Sequence, residues 1–255
     1  MKRMLTALSI AALGTLCAGS SFAYQTFLGE DPNGNPTSIP LFPNSTNAQL
    51  AFFGLGTPQV ENFENQTVGQ GPPLTLAFGS GNTAVNATLS GVNGAVQSVV
   101  TPIEGRYSVP GGNQFWAATA TSSGDTFNIA FSANVEAFGF FGIDIGDFGG
   151  TLSMELLNAA GNMMGTGFPV NTGTGSSRDG SVLYFGIRAD NPGEWFRGIR
   201  FRLTNTTTQL DAFAFDSFTV VGALRTTPPG QIPEPGTLAL IGLALLASSL
   251  VRRRA

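Results

Sequence analysis

Between about residue 51 and residue 222 the chain alternates apolar and polar residues at a period of two, in short runs bounded by Gly, Asn, Ser and Thr. That is the pattern of half-buried β-strands. In RGIRFRLT, residues 197–204, Ile199, Phe201 and Leu203 fall on one face while Arg200 and Arg202 fall on the other. TFNIAF repeats the pattern with Phe127, Ile129 and Phe131, and TLSMELL repeats it with Leu152, Met154 and Leu156. Further strands are expected at 73–78, 84–89, 95–100, 114–118, 135–143, 181–187 and 212–221. No helical stripe precedes the last two dozen residues. Many short strands, 34 glycines and no repeat of fixed period predict an all-β fold. The expected architecture is an antiparallel β-sandwich, jelly-roll-like, followed by one C-terminal hydrophobic helix.

Two strands break phase. Phe213 and Phe215 share one parity and Phe218 and Val220 the other, which predicts a β-bulge near Asp216 and Ser217. In EAFGFFGID the same slip separates Phe138 and Phe140 from Phe141 and Ile143. Either Gly139 and Gly142 absorb a second bulge, or both faces of this strand are buried and it has none. Residues 24–50 are polar and rich in Pro and Gly, and read as a loosely packed N-terminal arm to the 51–222 sandwich. Residues 223–231, with Pro228, Pro229 and Gly230, read as a linker.

The two ends carry addresses rather than fold. Lys2 and Arg3 precede an apolar run, and Ser21-Phe22-Ala23 supplies the small residues a signal peptidase reads, so 1–23 is expected to be a signal peptide. Cys17 follows Leu16 instead of a small residue, which argues against lipidation. At the other end, Thr237 to Val251 carries no charge. As a helix it spans roughly 22 Å of a hydrocarbon core about 30 Å thick. Arg252, Arg253 and Arg254 then stay on the cytoplasmic side and the body lies outside. Pro233 and Pro235 end the helix and leave an accessible junction.

Pro233-Glu234-Pro235-Gly236, an apolar helix and a terminal arginine cluster, in that order over 232–255, resemble the PEP-CTERM sorting signal of Gram-negative, exopolysaccharide-producing bacteria. The resemblance implies a transient inner-membrane anchor and removal of the tail by an exosortase-type membrane protease. It further implies delivery to the cell envelope or the extracellular matrix. In such a host the N-x-[ST] matches at Asn44, Asn65, Asn86 and Asn205 are chance.

Composition narrows the body. Five of the 12 basic residues but only one of the 16 acidic ones lie in the terminal signals, leaving the body at about −8. Nucleic acid is not an expected partner. The chain has no histidine, and its single cysteine lies in the expected signal peptide. That excludes imidazole and thiolate metal sites, Cys-His and Ser-His-Asp nucleophiles, and disulfides. Packing alone must stabilise the exported domain.

Three sets of residues carry what chemistry remains. VENFENQTVGQG near the start and LDAFAFDSFTVV near the end resemble the first and last strands of jelly-roll carbohydrate-binding modules, in which a Phe-Glu and an Asp share a structural calcium ion. The resemblance places such an ion at Glu61, Glu64 and Asp216, with Asp211 nearby; the alternative is that these acids are solvated strand ends. Asp144 and Asp147, three apart around a glycine turn, have the spacing of a glycosidase carboxyl pair as well as that of ordinary turn acids. Trp116, Trp195, Tyr107 and Tyr184 are candidates for stacking on sugar rings, or else core aromatics. The expectation is a non-enzymatic matrix protein, a structural or adhesive partner of exopolysaccharide. A dedicated carbohydrate-binding module is the alternative, and a carboxylate glycosidase comes third.

Overall fold

A computed structural model describes residues 23–80, 84–91, 94–99, 101–121, 124–170, 178–205 and 210–221. In chain order they form β1 (Tyr24–Asp31), α1 (Pro43–Phe53), β2 (Gln59–Glu61), β3 (Leu74–Phe78), β4 (Val85–Gly91), β5 (Gly94–Ser98), β6 (Gln114–Ala120) and β7 (Asp125–Val135). There follow β8 (Ala137–Ile143), β9 (Gly150–Leu157), β10 (Phe168–Pro169), β11 (Val182–Ala189), β12 (Phe196–Asn205) and β13 (Asp211–Val221). The first sheet has the order β1-β11-β8-β13-β6-β5, with β2 also pairing β13; the second has the order β10-β9-β12-β7-β4-β3. Every pairing is antiparallel. From β3 onward the chain passes back and forth between the sheets, the crossing habit of a jelly roll. The expected signal peptide, apart from Ala23, the expected linker and the sorting segment with its expected helix lie outside the described residues.

The alternating apolar positions meet between the sheets. Phe201 on β12 stacks on Phe127 of β7 at 4.5 Å and meets Phe140 of β8 edge-on at 5.1 Å. Phe127 in turn reaches Phe215 of β13 across the gap at 5.1 Å. Phenylalanine suits this role in a chain without disulfides: each ring buries a large area, and the offset and edge-on pairs add to that burial.

β13 carries the expected irregularity. It pairs β6 up to Phe215 and β2 from Phe218, and its register with β8 shifts between Asp216 and Thr219. Ser217 takes up the extra residue at φ 49°. In β8 the alternative reading is the correct one. Its register with β11 is unbroken from Ala137 to Ile143 and all seven residues are buried. Phe138 and Phe140 face the other sheet, whereas Phe141 and Ile143 face a second core on the outside of the first sheet.

That second core overturns the expected arm. Residues 24–31 are not loose: they pair along the whole length of β11. Residues 43–53 form a helix the period-two reading did not contain, lying over β1, β11 and β8. Its first half, Pro43 to Asn47, is polar and its buried residues are Ser45 and Phe52, so no apolar stripe announced it. The helix approaches closely because glycines lie beneath it. A β-carbon at Gly29 would collide with the Asn44 carbonyl, and one at Gly186 would collide with the Phe52 ring. Pro43 stands at the helix start, where a missing N–H is harmless. The free N–H groups of the first turn are met from β1: Asp31 accepts from Asn44 N at 3.0 Å, Ser45 N at 2.8 Å and Ser45 Oγ at 2.7 Å.

Replacing Asp31 with Ala strands these donors in a buried place. Asp31→Ala is expected to lower unfolding stability by about 2–3 kcal/mol in urea denaturation. Leu41→Ala, at a side chain 87% exposed, is expected to leave the midpoint unchanged.

Candidate functional site

α1 and the loop carrying Tyr107 and Val109 cover only part of the first sheet's outer face. Over β5, β6 and the start of β13 the face is open among the described residues. Adjacent strands there place small residues side by side, Ala95 opposite Ala117 and Ala212 opposite Thr119, so the floor is low. A groove of about 430 Å³ runs over Gly94, Ala95, Gln97, Ala117, Thr119 and Thr121, with Arg106 and Leu210 at its side. The same Arg106 and Leu210 border a second hollow of about 320 Å³, lined also by Glu104, Asp144, Phe148 and Ala212. Leu210 is 65% exposed and Phe148 46% exposed. The rim thus presents apolar surface beside a guanidinium, a carboxylate and threonine hydroxyls.

At the end of this hollow the chain gathers acids. Asp144 follows β8 at φ 62°, and Gly146 and Gly149 turn the chain back into β9. Asp147 lies within that turn. Asp179 comes from the turn before β11, and its carboxylate, with those of Asp144 and Asp147, offers oxygens that all lie within 4.8 Å of one another. Gly180 N donates to Asp144 Oδ1 at 2.8 Å, and Phe148 N to Asp147 Oδ1 at 2.9 Å. Asp211, fully buried at the start of β13, accepts from Gly150 N at 2.7 Å and lies within hydrogen-bonding reach of Asp147. Burial pushes the Asp144 carboxyl up to about 7, helped by the charges of Asp179 and Asp211 and opposed by the Gly180 hydrogen bond and by Arg106. Asp147 and Asp211 are both raised, first by burial.

The residues singled out from sequence fall in separate places. Trp116 and Tyr184 are fully buried and Tyr107 is 1% exposed, so they are core aromatics with no face open to a sugar. Trp195 is half-buried, just after the short 3₁₀ turn Pro192–Glu194. The first and last strands of the resemblance do pair, as β2 with β13. Their acids are nevertheless taken up by backbone donors. Glu61 accepts from Phe63 N at 2.9 Å and Ala77 N at 3.1 Å, and Glu64 Oε1 from Asn113 N at 2.6 Å and Gln114 N at 2.7 Å. Asp216 accepts from Val109 N at 2.9 Å, and burial raises its carboxyl to about 7, with the charge of Glu64 contributing. Among the described residues, Asp144, Asp147 and Asp179 converge to metal-ligand spacing, whereas Glu61, Glu64 and Asp216 do not. Of the Asp144 and Asp147 pair only Asp144 lines the hollow. The sorting residues Pro233, Glu234, Pro235, Gly236, Arg252, Arg253 and Arg254 lie outside the described residues.

Sequence reasoning missed Arg106, Phe148 and Asp179. Asp211 had a readable sign, because it shares the inward parity of Phe213 and Phe215 and so places a carboxylate where a core side chain belongs.

Residues 231–255 match the PEP-CTERM protein-sorting motif. The chain is therefore a sandwich attached to an export and membrane-anchoring signal, and such a signal implies an exosortase as processing partner. No curated protein sequence matches the chain. Solved structures with similar folds include the K2 cleaved adhesin domain of Lys-gingipain, 12% identical over 65% of this chain and 98% of that one, with a TM-score of 0.42. The CBM22-1–GH10 modules of endo-1,4-beta-D-xylanase 10B from Clostridium thermocellum, complexed with xylohexaose, are 12% identical over 64% of this chain and 28% of that one, with a TM-score of 0.33. A glycoside hydrolase family 43 arabinoxylan arabinofuranohydrolase from Bacillus subtilis is 15% identical over 59% of this chain and 40% of that one, with a TM-score of 0.29.

The raised carboxyls fix the sign of a pH effect in metal-free buffer. Between pH 4 and about 7 the folded chain holds protons on Asp144 and Asp216 that the unfolded chain has released. Their contribution to stability is full below about pH 4 and is lost as pH rises through about 7. In excess chelator, the urea midpoint is expected to be lower at pH 8 than at pH 5.

Proposed function

We propose that this protein is delivered to the cell exterior through its C-terminal signal, is held transiently at the inner membrane, and serves there as a non-enzymatic adhesive partner of extracellular polysaccharide. The observation that carries the reading is the sorting motif at 231–255 on an acidic body with an uncovered groove. A polymer needs an open, elongated contact rather than an enclosed pocket, and the low floor of Ala95, Ala117 and Thr119 supplies one. Glu104, Arg106 and Thr119 offer hydrogen bonds to hydroxyl groups, and the exposed ring of Phe148 offers an apolar face to a pyranose. A hydrolytic role is less well supported, because Asp144 reaches the hollow without its partner Asp147.

Two measurements test the two halves of this reading. In the producing bacterium, Glu234→Ala within the Pro-Glu-Pro step is expected to leave the tail uncleaved and the protein in the membrane fraction. In vitro, the purified chain is expected to sediment with the host's exopolysaccharide, and Phe148→Ala to weaken that binding by about 5-fold or more with an unchanged melting temperature. Equal sedimentation of both chains would remove the groove from the adhesive reading.

A further inference from the structure

We propose that Asp144, Asp147 and Asp179 form a calcium site, backed by the buried carboxylate of Asp211, that ties the turn after β8 to the turn before β11 at the end of the groove. Two oxygens on opposite sides of a calcium ion, each about 2.3–2.6 Å away, lie about 5 Å apart. The oxygens of Asp144, Asp147 and Asp179 meet that limit, all lying within 4.8 Å of one another. The fourth acid is the independent sign. Asp211 is 0% exposed, its Oδ2 is held by Gly150 N, and among the described residues its Oδ1 has no hydrogen-bond donor. That oxygen belongs to a carboxyl already within hydrogen-bonding reach of the Asp147 carboxyl. A buried acceptor without a donor, beside further carboxylates, is destabilising unless a proton or a cation completes it.

Among the described residues, no group near the cluster supplies enough positive charge. Arg106 acts on Asp144 and Asp211, but its Nη2 lies 2.6 Å from Glu104. Four carboxylates against one shared guanidinium leave room for a dication. The donors are oxygens throughout and the body has neither histidine nor usable cysteine, which suits a hard ion over zinc or copper. Calcium fits better than magnesium, because carboxylates arriving from separate turns suit its flexible coordination more than a strict octahedron. This site is distinct from the region of Glu61, Glu64 and Asp216, and its occupancy does not depend on whether the groove binds polysaccharide.

The test uses the purified full-length chain, calcium chloride as the probe, and calorimetric titration together with thermal melts. One ion is expected to bind at this site with a Kd on the order of 0.1–1 mM, as in extracellular modules, and to raise Tm by about 4–10 °C at 10 mM calcium. Asp179→Asn alters a half-buried side chain at the edge of the cluster without touching the core, and is expected to weaken binding about 10-fold or more. Glu64→Gln is expected to leave this binding intact. Absence of both heat and Tm shift at 10 mM calcium overturns the proposal. So does wild-type affinity in the Asp179→Asn chain, or loss of the ion in Glu64→Gln alone.

Discussion

The structure depends on β8 and β13 being buried on both faces. One face of each meets the phenylalanines of the second sheet, and the other meets a second apolar layer under α1 and the Tyr107 loop. An antiparallel sheet can leave one face to water, and the second sheet does so: Glu155 bridges Arg200 and Arg202 on its outer side. The first sheet cannot, because Phe141, Ile143, Tyr184 and Ala214 project outward from its centre. Residues 24–53 are therefore recruited as cover. β1 extends the sheet along β11, and α1 closes over the apolar face with Phe52 as its anchor.

The open groove is the consequence of where that cover stops. Toward β5 and β6 the outward side chains shrink to Ala95, Ala117 and Thr119, which need no apolar lid. The Tyr107 loop ends the cover and supplies Arg106 and Glu104 to the groove wall. Tyr107 also fixes the acidic rim, since its hydroxyl donates to the Gly180 carbonyl at 2.8 Å and so holds the turn that carries Asp179. One residue thus belongs at once to the second core and to the support of the polar site.

Much of the sandwich was legible because half-buried strands write their faces into the sequence. The alternation at Ile199, Phe201 and Leu203 placed β12, and the parity slip at Asp216 and Ser217 placed the bulge in β13. The signal was ambiguous where both faces are apolar: it placed a strand at 135–143 but left a bulge and two-sided burial open, since a fully buried strand such as β8 has no alternation left to read. It failed at α1, whose packing rests on Ser45 and Phe52 and on glycines of other strands, and a one-dimensional pattern does not contain those contacts. The candidate site was legible only in fragments. Asp144 and Asp147 stand near each other in sequence, but Asp179 and Asp211 arrive from turns that only the sheet order brings alongside. Tyr107, Trp116 and Tyr184 stood open between sugar stacking and core packing because residue type carries no information about exposure.

The direction of β13 relates the site to the sorting signal. The strand begins at Asp211, among the acids and beside the groove, and ends at Val221, immediately before the segment leading to the motif. Ten steps of about 3.3 Å separate these points, so groove and tail attachment stand roughly 33 Å apart along one strand. A chain anchored through its C-terminus therefore carries the groove on the far end of the sandwich from its point of attachment. Among the described residues the rim is held by the Gly180 and Gly150 amides on Asp144 and Asp211, and by the Tyr107 hydroxyl behind them. Those contacts are internal to the sandwich.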